Sequence, residues 1–458
     1  MRVNCKSGNI MSKLIKRFFG RQSFVAGALI ISAGGFISKI LGALYRIPLT
    51  NILGGEGMGI YQMVYPLYCI LLTVSASGIP AGIARLISSG RAPGAEKSAF
   101  KLYGFIGVLG TIAMFLLAKP LASAQGEPAV GLCCKLLAPA VFFVAVLSVV
   151  RGYFQGRHNM IPTAFTEVCE QLLKVLAGVA FAWQFRGNMP LAVASTLFAV
   201  TLSEGFSALF AVMLYRGEYN RRPLFSERSA GYGAILRYTV PITFTAIAMP
   251  VSQLAESIVA VNLLRSAGLE ATALYGIFSG CAVTIINLPV SVTYGFAAAS
   301  VPKIAPLASS GDVQSARAAA LKAILITLGV AIPFSIALYV FAPLAADIIF
   351  RSLTAEQNAL LVRLVRIMSI NAVTLSLTQT ASACLTALGT PVRATAVQWV
   401  TCALRVGLAA LFIVRGFSVE GVAIASNIAY FVAAAVNLWY IIKVKANSNA
   451  LKSKRRSV

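Results

Sequence analysis

Long apolar runs separated by short polar segments dominate the chain. Each run holds about 20 mostly hydrophobic residues, the length that an α-helix needs to cross the hydrocarbon core of a bilayer. Membrane helices tolerate internal prolines, and several of these runs contain one. The pattern therefore predicts an all-α polytopic membrane protein with about twelve transmembrane helices, at 24–44, 59–83, 102–118, 131–150, 164–184, 190–214, 238–263, 272–297, 320–342, 359–386, 394–414 and 418–442.

Composition supports this class of protein. The 458 residues are 58% hydrophobic and 12% charged, whereas soluble domains contain about 25% charged residues. The net charge of +25 does not indicate a nucleic-acid partner, because the basic residues form short clusters between the apolar runs. The eight cysteines lack metal-ligand spacing and His158 is the single histidine, so we expect no metal site and no disulfide framework.

The distribution of Lys and Arg predicts the orientation. Most of the 39 basic residues fall on one side if the N-terminus lies in the cytoplasm. That side then holds the basic N-terminus (1–23), a basic connector (216–237) and a basic tail (443–458). The opposite loops hold few basic residues, namely Arg46, Lys119, Arg186, Arg265, Arg351 and Arg415. We therefore expect both termini on the cytoplasmic side of a bacterial inner membrane.

The chain also repeats itself. Short motifs recur in the same order in both halves, among them Leu173-Lys174-Val175 in the fifth span and Leu404-Arg405-Val406 in the eleventh. Six helices is an even number, so both halves would insert with the same orientation, as parallel repeats. We predict an N-lobe at 24–215 and a C-lobe at 238–442.

Charged residues at membrane depth need an explanation, because each costs roughly 2.5–3.5 kcal/mol on insertion scales. The first span places charged and small residues at steps of three and four, and so on one helical face. This stripe indicates the wall of a wet cavity that attracts an anion. The alternative is a glycine-lined helix contact whose two cations reach for the membrane interfaces. Its members are Ser32, Gly35, Lys39, Gly42 and Arg46.

Acidic residues occur in two further spans. The fifth carries Glu167, Glu170, Gln171 and Lys174 on one face; we favour a structural Glu170–Lys174 pair at i,i+4, with a proton relay or gate as the alternative. In the seventh span, Glu256 either binds a coupling cation or proton, or pairs with a cation of the opposite half such as Lys39. Arg265, which ends the same span, is an interface anchor or a gate residue.

Uncharged polar stripes complete the candidate site. Tyrosines that face a cavity suit a sugar-bearing or amphiphilic ligand, although tyrosine is also common at membrane interfaces. The stripes comprise Tyr61, Tyr65, Tyr68 and Ser75 in the second span, Tyr275, Ser279, Asn287, Ser291 and Tyr294 in the eighth, and Asn371, Thr374, Thr378 and Ser382 in the tenth. The sequence contains no P-loop, nucleophile elbow or HExxH motif, so we expect no catalytic residues and a driving force from gradients or membrane potential.

Several segments resemble the polysaccharide-export and stage V sporulation protein B branch of the multidrug/oligosaccharidyl-lipid/polysaccharide (MOP) exporter superfamily. They are 32–49 (SAGGFISKILGALYRIPL), 54–62 (GGEGMGIYQ), 77–86 (SGIPAGIARL) and 288–305 (LPVSVTYGFAAASVPKIA). The resemblance implies two lobes around a central, V-shaped cavity that opens alternately to each side. In the lipid II flippases of this superfamily the cavity is cationic, and basic residues of the first helix contact the pyrophosphate. Lys39 matches the first such position, and Arg46 lies at or one place beyond the second.

These observations together predict a flippase that moves an undecaprenyl-diphosphate-linked saccharide, a peptidoglycan precursor or polysaccharide unit, by alternating access. Lys39, Arg46, Tyr61, Gln62, Tyr65 and Asn287 would bind the substrate. Flippases of this branch commonly have fourteen helices, the last two of which form a groove for the lipid tail; with twelve predicted spans here, we do not expect tail binding by that route.

Three alternatives remain open: a cation-coupled multidrug antiporter, a polyprenyl-phosphate-dependent membrane enzyme, and a cell-envelope scaffold. We expect a monomer in contact with membrane lipids and with cell-envelope synthesis enzymes as candidate partners, without a cofactor; the coupling ion, Na⁺ or H⁺, is left open.

Overall fold

The computed structural model describes residues 24–76, 78–88, 95–221 and 231–444. Within these ranges the chain consists of helices joined by short turns. They are α1 (Phe24–Ala76), α2 (Ile79–Ser88), α3 (Ala95–Gln125), α4 (Ala129–Leu137), α5 (Pro139–Gly156), α6 (Ile161–Gln184), α7 (Met189–Arg221), α8 (Tyr232–Ala246), α9 (Ala248–Ser266), α10 (Ala271–Tyr275), a π-helical turn (Gly276–Ala282), α11 (Val283–Ser310), α12 (Val313–Val340), α13 (Ala342–Ile349), α14 (Ala355–Met368), α15 (Asn371–Ala387), α16 (Pro391–Val414) and α17 (Glu420–Lys443). The predicted basic N-terminus, the middle of the connector and most of the basic tail lie outside the described residues.

Every predicted span falls on helical residues, several of them across a break between two helices, which confirms an all-α polytopic membrane protein. Among the described residues, nine helices are long and apolar enough to cross a membrane. Helices α14 and α15, which meet at a 45° bend, give a tenth span if they are counted together. The difference from the predicted twelve arises at two places. The first predicted span and most of the second lie on α1, whose two segments join directly at Gly54, and the fifth lies on α6, which carries the charges of Glu167, Glu170 and Lys174.

Helix α1 is in fact two helical segments that meet at Gly54. Gly54 has φ 62° and ψ −170°, a conformation that only glycine adopts without strain. The break lies in the loop predicted between 44 and 59. It allows the second segment to change direction and run back into the bundle.

Large apolar side chains cover the outside of the bundle. Leu116 is 72% exposed, Leu325 66% and Phe431 64%. A contiguous apolar surface of this kind would promote aggregation in water, but in a bilayer it faces hydrocarbon. The exterior therefore fits a membrane protein surrounded by lipid tails.

Helix pairing follows the same pattern in the first and second halves of the chain. Helix α6 packs on α7, and α16 packs on α17; α1 packs on α6, and α9 packs on α16. The two halves meet most closely where α1 contacts α10 and the π-helical turn. Gly59 lies against the backbone of Thr272 there, at a spacing with no room for a side chain. This contact joins the halves at the end of the bundle opposite Phe24 and Val444, which we call the distal end.

Candidate functional site

A cavity of about 470 Å³ lies between the two halves of the chain. Helices α1 and α6 form one wall, and α11 with one residue of α15 forms the other. The cavity is lined by Ser38, Lys39, Gly42, Ala43, Tyr45, Arg46, Tyr61, Tyr65, Gln171, Lys174, Thr284, Asn287, Val290, Ser291, Tyr294 and Gln379. Three of these residues are cationic and none is acidic, so the lining attracts anions.

The predicted stripe of α1 faces this cavity. Lys39, Gly42 and Arg46 line it, and Gly35 lies beside Glu167 of α6. The side chain of Ser32 lies outside the described residues. The stripe is therefore oriented as a cavity wall, which is the first of the two interpretations drawn from the sequence.

Lys39 and Arg46 both reach across to the second half of the chain. The Nζ atom of Lys39 lies 3.2 Å from the centroid of the Tyr294 ring, a cation–π contact. Arg46 Nη1 donates a hydrogen bond to Thr284 Oγ1 at 3.2 Å. Each cation is held by a neutral partner, so the positive charge of each stays available to an anion in the cavity.

The third cation, Lys174, stands beside a row of tyrosines. Its Nζ atom lies 5.6 Å from the centroid of the Tyr65 ring. Tyr61 and Tyr65 stack at 5.4 Å between ring centroids, and Tyr65 and Tyr68 follow at 5.8 Å. Tyr61 and Tyr65 thus lie in the cavity lining, as predicted, and bring aromatic faces and hydroxyl groups to it.

The predicted Glu170–Lys174 pair is wrong. Glu170 Oε2 instead accepts from Arg151 Nη2 of α5 at 3.0 Å, and Arg151 also donates to Thr166 Oγ1. A buried guanidinium gains more from a carboxylate in the bundle interior than an i,i+4 surface pair gains in water. Because Arg151 takes Glu170, Lys174 remains in the cavity lining.

A smaller polar cavity of about 220 Å³ adjoins the first and shares Arg46, Tyr65, Asn287 and Gln379 with it. Gln62 lies here, and its Nε2 donates to the carbonyl oxygen of Ser279 at 2.9 Å. All six predicted substrate-binding residues thus border one of the two joined cavities. Their role in binding stays a prediction.

Glu256 also borders the smaller cavity but is already neutralised. Its Oε2 lies 2.9 Å from Arg405 Nε, and both side chains are almost fully buried. Arg405 donates further to Tyr430 Oη at 2.8 Å and to Ser252 Oγ at 3.3 Å. The predicted partner Lys39 is therefore wrong: the cation that pairs with Glu256 comes from its own half of the chain.

The distal end is closed by hydrogen bonds between the two halves, which we call the distal seal. Arg265 Nη1 donates to the Gln125 carbonyl oxygen at 2.7 Å, and Asn262 Nδ2 donates to that of Ala124 at 2.6 Å. Asn51 Nδ2 donates to the Ile349 carbonyl oxygen at 2.8 Å. Arg265 thus lies in a contact between the halves, where a gate residue would be, and its role as a gate stays a prediction.

The contributors that were not identified from the sequence include Arg151, Thr284, Gln379 and Tyr430. The repeat marked Arg405 and Lys174 but did not indicate their different surroundings. Arg151 could have been noticed as a charge directly after the fourth apolar run. Its partners lie on another helix, which no spacing within one helix reveals.

Comparison with known proteins identifies relatives in Bacillus subtilis (strain 168). The chain is 28% identical over 302 residues to stage V sporulation protein B of Bacillus subtilis (strain 168), covering 62% of this chain and 58% of that protein. It is 24% identical over 325 residues to the lipid II flippase MurJ of the same organism, covering 64% and 60%. Both matches span less than two thirds of the relative's own length.

The fold has a solved counterpart. A multidrug resistance MATE family transporter of the MOP superfamily, in an inward-facing conformation, superimposes with a TM-score of 0.75. The superposition covers 92% of this chain and 96% of that chain at 19% identity, which shows the fold. A sequence model of polysaccharide biosynthesis proteins matches residues 24–308, more than half of the chain. The chain therefore belongs to the polysaccharide biosynthesis protein family.

Proposed function

We propose that the chain is a flippase for an undecaprenyl-diphosphate-linked saccharide in the bacterial cytoplasmic membrane. The observation that carries the proposal is the cavity lining, which holds Lys39, Arg46 and Lys174 and no acidic residue. A diphosphate is compact and highly charged, and three cations around one cavity match it. An organic cation, the cargo of a multidrug antiporter, would meet repulsion at the same place.

The remaining lining suits the saccharide. Tyr61 and Tyr65 offer aromatic faces, while Asn287 and Gln379 offer amide groups that hydrogen-bond hydroxyls. Arg46 is the candidate for paired hydrogen bonds to a phosphate, because a guanidinium matches phosphate geometry. In this proposal the lipid tail stays in the bilayer while the head group occupies the cavity.

Translocation then follows from the position of the distal seal. Lys39 and Tyr294 are exposed, whereas Tyr45 and Tyr61, nearer the distal end, are buried. The cavity therefore opens toward the end of the bundle where Phe24 and Val444 lie, which the distribution of basic residues predicts to be the cytoplasmic end. Breaking the seal while the halves close at the other end would expose the head group on the far side.

The ligand experiment is native mass spectrometry of the purified protein with added undecaprenyl diphosphate. We expect a bound species in the wild type that is lost in Lys39→Ala and Arg46→Ala and kept in Lys119→Ala, which removes an exposed cation outside the cavity. Equal binding in the wild type and the three variants would contradict the assignment of the cavity as the diphosphate-binding site. Tight binding of an organic cation together with no binding of the diphosphate would favour the antiporter.

A second experiment tests the seal. Arg265→Ala removes one hydrogen bond between the halves, and at about 1 kcal/mol that shifts the open-to-closed ratio about fivefold. Cys281, fully buried on the π-helical turn at the contact between the halves, is a native reporter. In a variant with the other cysteines replaced by serine, Arg265→Ala should speed labelling of Cys281 by a polar maleimide. An unchanged labelling rate would show that Arg265 does not help to keep the distal seal closed.

A further inference from the structure

The second half of the chain carries an apolar groove that the proposed function does not use. The groove has a volume of about 280 Å³ and lies between helices α12, α15 and α17. Phe431, whose side chain is exposed, lies at its rim, and the small buried side chains of Ala381 and Ala434 line its deeper part. The groove therefore opens on the surface that faces lipid.

The lining of the groove suits hydrocarbon and offers no free hydrogen-bond donor. Thr374 is the single polar residue of this lining in the described part of the chain. Its hydroxyl is already used within its own helix, because Thr374 Oγ1 donates to the carbonyl oxygen of Ile370 and to Asn371 Oδ1, each at 3.3 Å. An aliphatic chain is the occupant that such a lining favours.

Helix α15 separates the groove from the cavities described above. Leu375 and Gln379 border the smaller cavity, whereas Leu377 and Ala381 line the groove. The second pair follows the first by two residues, which places it roughly 200° around a helix of 3.6 residues per turn. A lipid whose head group lies in the cavity would have to pass around α15 to fill the groove. This arrangement favours a separate lipid as the occupant.

Arg317 marks one end of the groove. It precedes Ile324 by seven residues and Leu328 by eleven, spacings that keep the three side chains on one face of α12. Arg317 therefore lies roughly 10–16 Å along the helix from these two groove residues. Half of the hydrocarbon core is about 15 Å thick. A phosphate group at Arg317 would thus place the acyl chain of the same lipid beside Ile324 and Leu328.

The guanidinium of Arg317 has no countercharge among the described residues. Its Nη2 donates to the carbonyl oxygen of Val444 at 2.6 Å, and its buried Nε donates to no acceptor in the described part of the chain. The acid at this end of α12, Asp312, instead caps the helix by accepting from the Ser315 backbone N–H. Arg317 therefore keeps its positive charge, and a guanidinium matches the geometry of a phosphate.

Further cations lie at the same end of the second half. Lys443 Nζ lies 4.3 Å from the Trp439 ring centroid, and the Arg393 guanidinium lies 5.3 Å from that of Tyr440. Aromatic and basic side chains in this arrangement are typical of a membrane–water interface. The distribution of basic residues predicts that this end is cytoplasmic, and basic clusters there attract anionic lipids.

We propose that the groove holds an acyl chain of an anionic phospholipid whose phosphate lies at Arg317. The groove takes the hydrocarbon, and the basic end takes the net negative charge. A phosphatidylethanolamine also has a phosphate, but its ammonium group would meet Arg317, Arg393 and Lys443. The bound lipid contacts three helices and so stabilises the second half. This site goes beyond the proposed function and does not depend on it.

The head group is tested by native mass spectrometry with equal amounts of phosphatidylglycerol and phosphatidylethanolamine that have identical acyl chains. We expect the wild type to retain phosphatidylglycerol preferentially, and Arg317→Gln to lower the preference about fivefold, equivalent to about 1 kcal/mol. Arg317→Lys keeps the charge and should keep most of the preference. Arg351→Gln removes an exposed cation at the distal end and should change nothing. Equal retention of both lipids by the wild type, or an unchanged preference in Arg317→Gln, would overturn the proposal.

The groove is tested by filling it. Ala435 lines the groove and is exposed, so Ala435→Trp obstructs it without overpacking the interior. This variant should lose the retained phosphatidylglycerol, and the added lipid should no longer raise its Tm. Val432→Trp, at an exposed position of α17 outside the groove, should behave as the wild type.

Unchanged retention of phosphatidylglycerol in Ala435→Trp would show that the groove does not hold this lipid. If Ala435→Trp instead lowers binding of undecaprenyl diphosphate and leaves phosphatidylglycerol in place, the groove holds an isoprenoid chain and the proposal is wrong. Failure of the wild type to bind undecaprenyl diphosphate would count against the proposed function alone, because the phospholipid measurements do not use that ligand.

Discussion

Lys174 and Arg405 occupy corresponding positions in the two sequence repeats, yet they have opposite surroundings. Arg405 is buried in an ion pair with Glu256, which neutralises its charge, and it donates hydrogen bonds to Tyr430 and Ser252. Lys174 borders the cavity beside Tyr65, because the acid one turn away is bound to Arg151. The repeat places a cation at both positions, and the neighbouring helices determine which groups each cation contacts. Lys174 thus directs its charge toward the cavity, whereas the charge of Arg405 is held in an ion pair.

The neighbours that make this difference are also at corresponding places. Each repeat ends in a helix that packs on the helix of the cation, α7 on α6 and α17 on α16. Helix α7 contributes Glu204, which accepts from Tyr68, whereas α17 contributes Tyr430, which accepts from the arginine. The neighbouring helix therefore helps to fix the cation in the second half, whereas in the first half it bonds to the tyrosine row.

The largest expected effect on stability comes from removing Arg405 in the second half. Arg405→Met leaves Glu256 buried without a countercharge, which should cost about 3–5 kcal/mol of unfolding free energy. Lys174→Met should cost less than about 1 kcal/mol, because Lys174 lines a cavity and has no carboxylate in an ion pair among the described residues. Thermal unfolding in detergent, followed by circular dichroism, measures both.

The double variant Arg405→Met with Glu256→Gln is the control for that comparison. Replacing both members of a buried ion pair is often close to neutral, so most of the lost stability should return. Equal destabilisation by Arg405→Met and Lys174→Met would show that the two cations have the same structural role, which contradicts the contrast between the halves.

The tyrosines beside the two cations sharpen the comparison. Tyr430→Phe removes an acceptor from a buried guanidinium and should lower stability by about 1.5–3 kcal/mol. Tyr65→Phe removes a hydroxyl group from a cavity lining, where water can replace it, and should lower stability by less than half as much. The same unfolding experiment compares the pair, and a larger loss in Tyr65→Phe would contradict the difference in surroundings.

Affinity for the ligand should depend strongly on Lys174, although removing Lys174 should cost little stability. Lys174→Met removes one of three cations from the cavity, and we expect the Kd for undecaprenyl diphosphate to rise about tenfold, equivalent to about 1.4 kcal/mol. Titration of the purified protein gives the Kd. Lys119→Met removes an equal charge from an exposed site outside the cavity and should leave it unchanged. A rise of the same size in both variants would mean that net charge, rather than the cavity, sets the affinity.

The sequence was sufficient for the positions of the helices, because a membrane span must be apolar for about 20 residues whatever its neighbours are. It was also sufficient for the faces of α1 and α11 that line the cavity, because the steps of three and four between Lys39, Gly42 and Arg46 fix one side of a helix. These features depend on local spacing alone. The break at Gly54 lay between two correctly predicted spans, but the continuity of α1 on either side did not follow from the pattern.

The ion pairs could not be predicted in the same way. Arg151 and Glu170 are 19 residues apart on different helices, and the pair replaced an i,i+4 contact that the spacing favoured. An exposed i,i+4 pair contributes only about 0.3–0.5 kcal/mol, so tertiary packing easily overrides it. The choice between Lys39 and Arg405 as the partner of Glu256 likewise depended on which helices pack together.

The smallest expected effect tests how the first half keeps Lys174 in the cavity. Arg151→Met frees the Glu170 carboxylate, which lies one helical turn from Lys174 and should then attract it away from the lining. The Kd for undecaprenyl diphosphate should rise about threefold to fivefold, although Arg151 does not border the cavity. The double variant Arg151→Met with Glu170→Gln removes the freed charge and should restore the wild-type Kd. A Kd that stays raised in the double variant would mean that Arg151 acts on the ligand by its own charge, and that the acid on α6 does not position Lys174.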